Sequence, residues 1–338
     1  MKRRIGTARL GLPLLLLLGG CDNWQSALEA RGASAISLKH LIILIVAVCS
    51  VIWMLVMIAM IHALWRRRTA WRAPLDLVPP RERRLGWIVS ICTGLTAVII
   101  LGFTVASFFT TRDISVAGQD DLTIRIGGLQ WWWSVEYLDP DPSAGFVSAN
   151  EIHIPTGRNV RLLLQGDDVI HSFWVPSLAG KQDLIPGRTN EITIRAERPG
   201  AYRGQCAEFC GLQHAHMGFL VTADTPEDFA RWARAQRAPA ANSADDEEIA
   251  AGRDVFMRKP CAGCHSIRGT QATGTSGPDL THLASRAFIA AGLLPTSRGA
   301  LAAWVADPQT LKPGNNMPLV PLTPDELRAM SAYLASLK

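Results

Sequence analysis

The 338-residue sequence has little of what marks a nucleic-acid-binding protein or a repeat protein. Its formal net charge is only +5, and much of the basic excess lies in one short stretch, residues 66–84. Because no basic face is offered outside that stretch, we expect no nucleic-acid partner. Internal repeats and collagen-like or coiled-coil periods are also missing from the sequence. The length is sufficient for two or three units with separate cores.

The first 20 residues have the pattern of an export signal. Basic residues at the start precede an apolar run at 14–18 and then two small residues, Gly19 and Gly20. Leu18-Gly-Gly-Cys21 also resembles the lipobox of bacterial lipoproteins, in which the cysteine is lipidated and becomes the new N-terminus. The alternative is an ordinary signal peptide with an incidental cysteine. We therefore predict a lipoprotein-type signal peptide over 1–20, lipidation of Cys21, and an N-terminal periplasmic segment over 21–37.

Two apolar stretches, residues 41–65 and 87–109, are long enough to cross a bilayer core, which needs about 20 helical residues. The arginine-rich stretch 66–84 between them is almost unopposed by acids, and the positive-inside rule predicts that it is a cytoplasmic loop. The pattern predicts a transmembrane hairpin over 38–110, with both of its ends facing outward. Two buried helices of a soluble domain are the alternative, which the length and hydropathy disfavour.

From about residue 113 the pattern changes to short β-branched runs separated by proline and glycine. This spacing predicts a small β-sandwich or barrel over 111–234. The predicted strands are 122–126, 151–154, 159–164, 191–194 and 219–222. Thr225 before Pro226 predicts the start of a short helix, and the small polar stretch 235–247 predicts a linker.

The sequence pattern over residues 248–338 predicts a helical domain. Its predicted helices are 249–257, 298–306 and 324–337. The last of them has a favourable start, because Thr323, Pro324 and Glu326 supply a cap, a first-turn proline and a capping-box acid.

The segment from Cys206 to Met217 has the spacing C-x3-C-x3-H-x2-M, and a further histidine lies about 35 residues upstream. Thiolates and thioethers select copper, and imidazole also suits it. The candidate copper ligands are His171, Cys206, Glu208 (through its carbonyl), Cys210, His214 and Met217. Gly211 and the flanking strand patterns predict a loop between two strands, in which both sulfurs can converge.

Cys261-Ala-Gly-Cys264-His265 is the attachment signature of a c-type haem. The two thiols would bond the vinyl groups and His265 would ligate the iron. Met317, about fifty residues further on, supplies another sulfur. A zinc site is excluded, because the adjacent cysteine and histidine leave no fourth ligand at a typical spacing.

The seven cysteines leave no pair for a structural disulfide. With Cys21 and the two metal sites assigned, Cys49 and Cys92 remain, and they lie in separate apolar stretches. This division supports both metal assignments.

Residues 38–234 together resemble cytochrome c oxidase subunit II. The hairpin, the segments 130–137 and 183–188, and the copper loop carry the resemblance. It implies a cupredoxin-like sandwich that holds a binuclear copper centre, CuA. In this arrangement Cys206 and Cys210 bridge two coppers. The remaining ligands implied are His171 and His214, one on each copper, with Met217 as a weak ligand and the backbone carbonyl of Glu208.

The resemblance implies two further roles and shows two departures. The side chain of Glu208 would also bind magnesium shared with subunit I, and Trp131 is the candidate through which electrons reach CuA. Trp132 stands where the family usually has tyrosine. Arg84 stands where the family has a glutamate at the mouth of a proton channel, and Glu82 is the nearest acid. We assign no proton role to either residue.

Residues 248–338 resemble class I cytochromes c, which implies His265 and Met317 as axial haem ligands. The domain order implies a subunit of a terminal respiratory oxidase in the bacterial inner membrane. Electrons from cytochrome c or another donor would pass through haem c and CuA to subunit I, which reduces O2 and translocates protons. Subunit III and membrane lipid are the other implied partners.

Two alternatives remain at this point. The first is the corresponding electron-receiving subunit of a nitric oxide reductase. The second is a copper-delivery protein with a thioredoxin-like fold, which the β-rich pattern, His214, Met217 and the fused haem motif disfavour. The apolar helices carry no ligand set for a haem a or a Cu-B centre, so the oxygen-reducing site is expected in another subunit.

Overall fold

The structure is a computed structural model that describes residues 25–67, 79–114, 122–141, 144–240 and 246–338. The predicted signal peptide and Cys21 lie outside these ranges. The chain divides into two compact units: Ile36–Val116, and Met1–Ala35 together with Ala117–Lys338.

The two long helices are α1 (Ala33–Arg67) and α2 (Pro79–Ile114). Both are long and apolar enough to cross a membrane, with 18-residue stretches of mean hydropathy 3.2 and 2.3. Each helix is longer than the apolar stretch that predicted it. Because arginine and leucine are good helix formers, α2 already includes Arg83 and Arg84, which the sequence had placed in the loop 66–84.

The chain from Leu122 to Asp224 forms two five-stranded sheets with the orders β3-β2-β1-β5-β8 and β4-β10-β9-β6-β7. The strands of the first sheet are β1 (Leu122–Leu129), β2 (Trp132–Leu138), β3 (Phe146–Ala149), β5 (Val160–Gly166) and β8 (Asn190–Ile194). Those of the second are β4 (Glu151–Pro155), β6 (His171–Trp174), β7 (Gln182–Leu184), β9 (Gly200–Cys206) and β10 (Gly218–Asp224). The two sheets share one buried core, which makes the domain a β-sandwich.

The centre of this core is aromatic. The side chain of Trp133 is fully buried and packs edge-to-face on Phe173 and Phe219, with ring centroids 6.1 and 5.0 Å apart. Its indole N–H donates to the carbonyl of Met217 at 3.3 Å. The core of the sandwich is therefore tied to the end of the predicted copper loop.

The described residues before α1 are attached to the sandwich by backbone hydrogen bonds. The amide of Arg31 donates to the carbonyl of Ser177 at 2.7 Å, and the amide of Glu197 donates to the carbonyl of Arg31 at 2.9 Å. The side chain of Gln25 donates to Gln205 in β9 at 2.6 Å. Part of the predicted segment 21–37 thus packs as an extension of the sandwich.

The C-terminal domain is mainly helical. Its helices are α4 (Glu247–Arg258), α5 (Cys261–Cys264), α6 (Arg298–Ala306), α7 (Pro308–Leu311) and α8 (Pro324–Ser336), with a short hairpin of β11 (Phe288–Ile289) and β12 (Leu294–Pro295). The predicted capping box at Thr323 and Glu326 is present in full. Phe256 of α4 and Tyr333 of α8 pack together in the core, with ring centroids 5.9 Å apart.

The predicted linker 235–247 differs from the structure at both ends. Helix α3 (Pro226–Arg237) continues into it, because alanine, glutamine and arginine favour helix. The residues after α3 are held by the C-terminal domain: the amide of Ala240 donates to the carbonyl of Arg268, and His282 donates to the carbonyl of Ala238, both at 3.1 Å. Only residues 241–245 lie outside the described part of this stretch.

His153 has a structural role in the sandwich. Its ring stacks on Trp232 at 4.0 Å and hydrogen-bonds to Asp224 at 2.7 Å and to Glu151 at 3.0 Å. Glu151 also accepts the amide of Ala287 from the C-terminal domain at 2.8 Å. Burial lowers the pKa of His153, but the two carboxylates outweigh it and the net shift is upward.

This shift predicts a pH-dependent stability. A raised folded-state pKa means that the stabilisation is complete below the unfolded value of 6.5 and is lost as pH rises through the folded value. A His153→Gln variant should therefore be less stable to heat than the wild type, and the difference between the two should be larger near pH 6 than at alkaline pH. The thermal unfolding midpoints of the two proteins across a pH series measure this difference. A difference that does not change with pH would contradict an ion pair of His153 with Asp224 and Glu151.

Candidate copper and haem sites

The sheet pairing brings the predicted copper ligands together. Strand β9 ends at Cys206 and β10 begins at Gly218, so the intervening loop carries the predicted ligands from Glu208 to Met217. His171 begins β6, which pairs with β9 so that Phe173 lies opposite Cys206. A histidine distant in sequence therefore lies beside the loop.

One half of the site is built around Cys206. Its sulfur lies 3.8 Å from Nδ1 of His171 and 3.1 Å from the carbonyl oxygen of Glu208. Both Cys206 and His171 are fully buried, whereas the side chain of Glu208 is exposed. Glu208 thus turns its carbonyl toward the sulfur and leaves its carboxylate at the surface.

The other half is built around Cys210. Its sulfur lies 3.7 Å from Nδ1 of His214 and 3.8 Å from Sδ of Met217. The ligand atoms of Cys210, Cys206 and His171 all lie within 4.8 Å of one another. The other four predicted donor atoms therefore surround the sulfurs of Cys206 and Cys210, with a different histidine next to each sulfur.

The chemistry of this donor set fits copper. Both cysteines are free thiols, and a hydrogen bond from Cys210 lowers the pKa of Cys206 to about 3. The same contact, with burial, raises the pKa of Cys210. A thiolate is the metal-binding form of cysteine, and a buried charge of this kind is normally paired or bound to metal. Soft sulfur with imidazole selects copper.

Asp168 is a site residue that the sequence reasoning missed. Nε2 of His171 donates to its carboxylate at 2.8 Å, which leaves Nδ1 facing the sulfur of Cys206. Burial lowers the pKa of His171, but the hydrogen bonds to Cys206 and Asp168 raise it overall. Asp168 also accepts the amide of Gln130 at 2.6 Å. An acid three residues before a candidate ligand histidine was the available signal.

We predict that Asp168→Asn weakens copper binding about 10-fold or more, because partners that orient a ligand histidine typically contribute that much. Asp167→Asn is the matched control, since it removes the same charge one residue away without touching the hydrogen bond to His171. Competition with a copper chelator measures both affinities. Equal losses in the two variants would assign the effect to charge alone.

Trp131 and Gln130 are attached directly to the copper loop. The indole N–H of Trp131 and the side-chain amide of Gln130 both donate to the carbonyl of Cys210, at 3.0 and 2.7 Å. Trp131 is 8% exposed. The tryptophan run is thus divided in function: Trp133 fills the core, and Trp131 contacts the site.

The haem motif forms a single helical turn, α5, with both thiols free and partly exposed. Nδ1 of His265 donates to the carbonyl of Pro278 at 2.7 Å, which leaves Nε2 available for iron. Burial lowers the pKa of His265 and so favours the neutral, metal-binding ring. A Cβ at Gly277 would lie 2.7 Å from Cε1 of His265, so glycine is required there. These residues fit a covalently bound haem.

Met317 lies at the end of a loop, residues 312–317, which we name the Met317 loop. Its amide donates to the side chain of Asn315 at 2.8 Å, and its carbonyl accepts from Gln309 at 2.9 Å. Hydrogen bonds on both sides thus fix the backbone of the predicted axial methionine.

Comparisons with known proteins agree with both domains. The family model for the periplasmic domain of cytochrome c oxidase subunit II matches residues 145–224, and the model for cytochrome c matches residues 249–338. The predicted fold class is confirmed: two apolar helices, a cupredoxin-like β-sandwich and a helical cytochrome c domain.

Similarity to single proteins extends further along the chain. It is 34% identical over 347 residues to cytochrome c oxidase subunit 2 of Alkalihalophilus pseudofirmus, covering 98% of each chain. It is 27% identical to that of Bacillus sp. strain PS3, over 81% of this chain and 80% of the other. The periplasmic domain of subunit II of cytochrome oxidase from Bradyrhizobium japonicum is 34% identical, covers 36% of this chain and 97% of its own, and has a TM-score of 0.34. The nearly end-to-end match with the first of these shows that the chain belongs to the cytochrome c oxidase subunit 2 family, with a cytochrome c domain at its C-terminus.

Proposed function

We propose that this chain receives electrons at a covalently bound haem c and passes them through a binuclear CuA centre to subunit I of a terminal oxidase. The supporting observation is the arrangement of four donor atoms around the sulfurs of Cys206 and Cys210. As a member of the family, the chain is one subunit of a cytochrome c oxidase. Its two domains imply copper and haem as cofactors.

The residues of the copper loop would hold the metals and exclude water. When bound, copper and haem iron each accept and release single electrons. Cys206, His171 and Met217 are fully buried, so solvent would have little access to the metals. Asp168 fixes the orientation of His171, and the indole N–H of Trp133 holds the carbonyl of Met217. A rigid, dry donor set keeps small the structural change that accompanies each electron.

The haem domain supplies a different ligand set. Cys261 and Cys264 would form the thioether bonds, and His265 and Met317 would be the axial ligands. Ligation by methionine and histidine raises the reduction potential of a haem, which suits a centre near the high-potential end of respiration.

Several finer assignments belong to this proposal. The carboxylate of Glu208 is exposed and is therefore free to bind magnesium at the contact with subunit I. Trp131 conducts electrons toward the copper site. Cytochrome c or another donor reduces the haem, and O2 reduction with proton translocation takes place in subunit I. Subunit III, the inner membrane and a lipid on Cys21 complete the assembly.

Substrate consumption by the purified complex tests this function. A complex isolated through this chain should consume O2 when supplied with a reduced cytochrome c. Consumption of nitric oxide but not O2 would instead establish the nitric oxide reductase alternative. The copper-delivery alternative required a thioredoxin-like fold, whereas residues 122–224 form a β-sandwich.

A further inference from the structure

The Met317 loop of the haem domain packs directly against the copper site. Four hydrogen bonds join the two domains at this point. They run from Lys312 Nζ to the carbonyls of Trp131 and His216 (2.8 Å each), from Gln213 Nε2 to the carbonyl of Pro313 (2.8 Å), and from Asn316 Nδ2 to the carbonyl of Gln130 (3.1 Å). The contact therefore involves the turn before β2, the copper loop and the loop that carries Met317.

Lys312 is the most unusual residue of this contact. Its side chain is only 2% exposed, and its ammonium also donates to the carbonyl of Ala290 at 3.1 Å. An ammonium has three donors, and here each donor meets a backbone carbonyl from a different segment. Burial lowers the pKa of Lys312 to about 7, although its electrostatic interaction with Cys210 opposes the shift. Since a buried charge is costly, a simple solubilising role is excluded.

The backbone of the Met317 loop also passes close to the ring of Trp131. Gly314 has φ of +81°, and a Cβ there would lie 3.1 Å from Cδ1 of Leu212 and 3.7 Å from Cη2 of Trp131. The indole of Trp131 donates to the carbonyl of Cys210. The loop of the predicted axial ligand thus lies beside an aromatic ring that is hydrogen-bonded to a predicted copper ligand.

We propose that Lys312 is a positioning residue that holds the Met317 loop against Trp131, so that the haem domain donates electrons to the copper site through a fixed contact. The inference rests on the proposed function. In the step concerned, one electron leaves the reduced haem and one oxidised copper centre gains it, with no bond or proton change. A mobile tether would only raise the local concentration of the haem, whereas this contact fixes its orientation.

The test compares three variants of the full-length chain loaded with copper and haem. Lys312→Met removes the ammonium but keeps the length of the side chain, and Lys312→Arg keeps the charge. Lys181→Met is the matched control, because Lys181 is an exposed lysine of the copper domain. The haem is photoreduced by a laser flash, and its reoxidation is followed together with reduction of the copper.

We expect Lys312→Met to slow this transfer about tenfold or more, since a small misplacement of reacting groups has effects of that size. Lys312→Arg should retain more of the rate, and Lys181→Met all of it. The methionine–iron absorption band and the copper resonance spectrum should stay unchanged in every variant. A residue with only a structural role would lower thermal stability without changing the transfer rate.

A wild-type rate in a folded Lys312→Met chain with both centres intact would overturn the inference. If that variant does not fold, Lys312→Gln, which removes the ammonium but keeps a polar side chain, takes its place, and a wild-type rate in it is equally contradictory. A failure of the proposed function would give a different result from a failure of this inference. In that case the wild-type chain itself would lack two coppers or show no haem-to-copper transfer.

Discussion

Replacing Cys210 with serine should abolish the two-copper centre and electron transfer through it. The sulfur of Cys210 is the atom that lies near both Nδ1 of His214 and Sδ of Met217. A serine hydroxyl is a hard oxygen ligand that stays protonated at neutral pH, and it cannot bridge copper as a thiolate does. Losing a residue that merely orients a ligand lowers metal affinity or activity about 10–100-fold, so losing a shared ligand should exceed that range.

Copper analysis and electron paramagnetic resonance measure this result. The Cys210→Ser chain should show one copper or none and no signal delocalised over two metals. Cys92→Ser is the control, because Cys92 lies in α2 and is remote in sequence from the copper loop. A two-copper spectrum in Cys210→Ser would refute the assignment of Cys210 as a bridging ligand.

The double variant Cys261→Ala/Cys264→Ala should lose covalent attachment of haem. Without these thiols no thioether bond can form, although His265 would still be held by the carbonyl of Pro278. Reduction of copper by the external donor should then fall to the rate of direct collision, about tenfold or more below wild type, because the intramolecular donor is gone.

Extraction with acidified acetone distinguishes the outcomes. Haem should remain with the wild-type protein and with a Cys49→Ala control, and it should appear in the solvent for the double variant. Haem that stays with the double variant would show that these cysteines are not its attachment points.

Strand β5 is one that the sequence predicted well, because its side chains alternate between the core and the surface. In β5, alternate residues Val160, Leu162 and Leu164 point into the core, and the predicted strand 159–164 lies within a residue of the observed start. Strand β9 was missed, because Gly200–Cys206 contains arginine, glutamine and two glycines. Its extended form depends on pairing with β10 and β6, which local propensity does not encode.

The candidate site was predictable to different degrees. The spacing of Cys206, Cys210, His214 and Met217 reveals a ligand set because it lies within one loop. Lys312 gives no such signal, since Leu-Lys-Pro-Gly is typical of an exposed turn. Its burial results only from the packing of the haem domain on the copper domain. The same packing explains why residues 238–240 of the predicted linker are held in place.

Quantitative metal and haem analysis of the full-length chain tests the central claim most directly. The account predicts two coppers and one covalently attached haem per polypeptide after full loading. Fewer than two coppers per correctly folded chain would contradict the binuclear centre, and with it the proposed path of electrons toward the oxygen-reducing subunit.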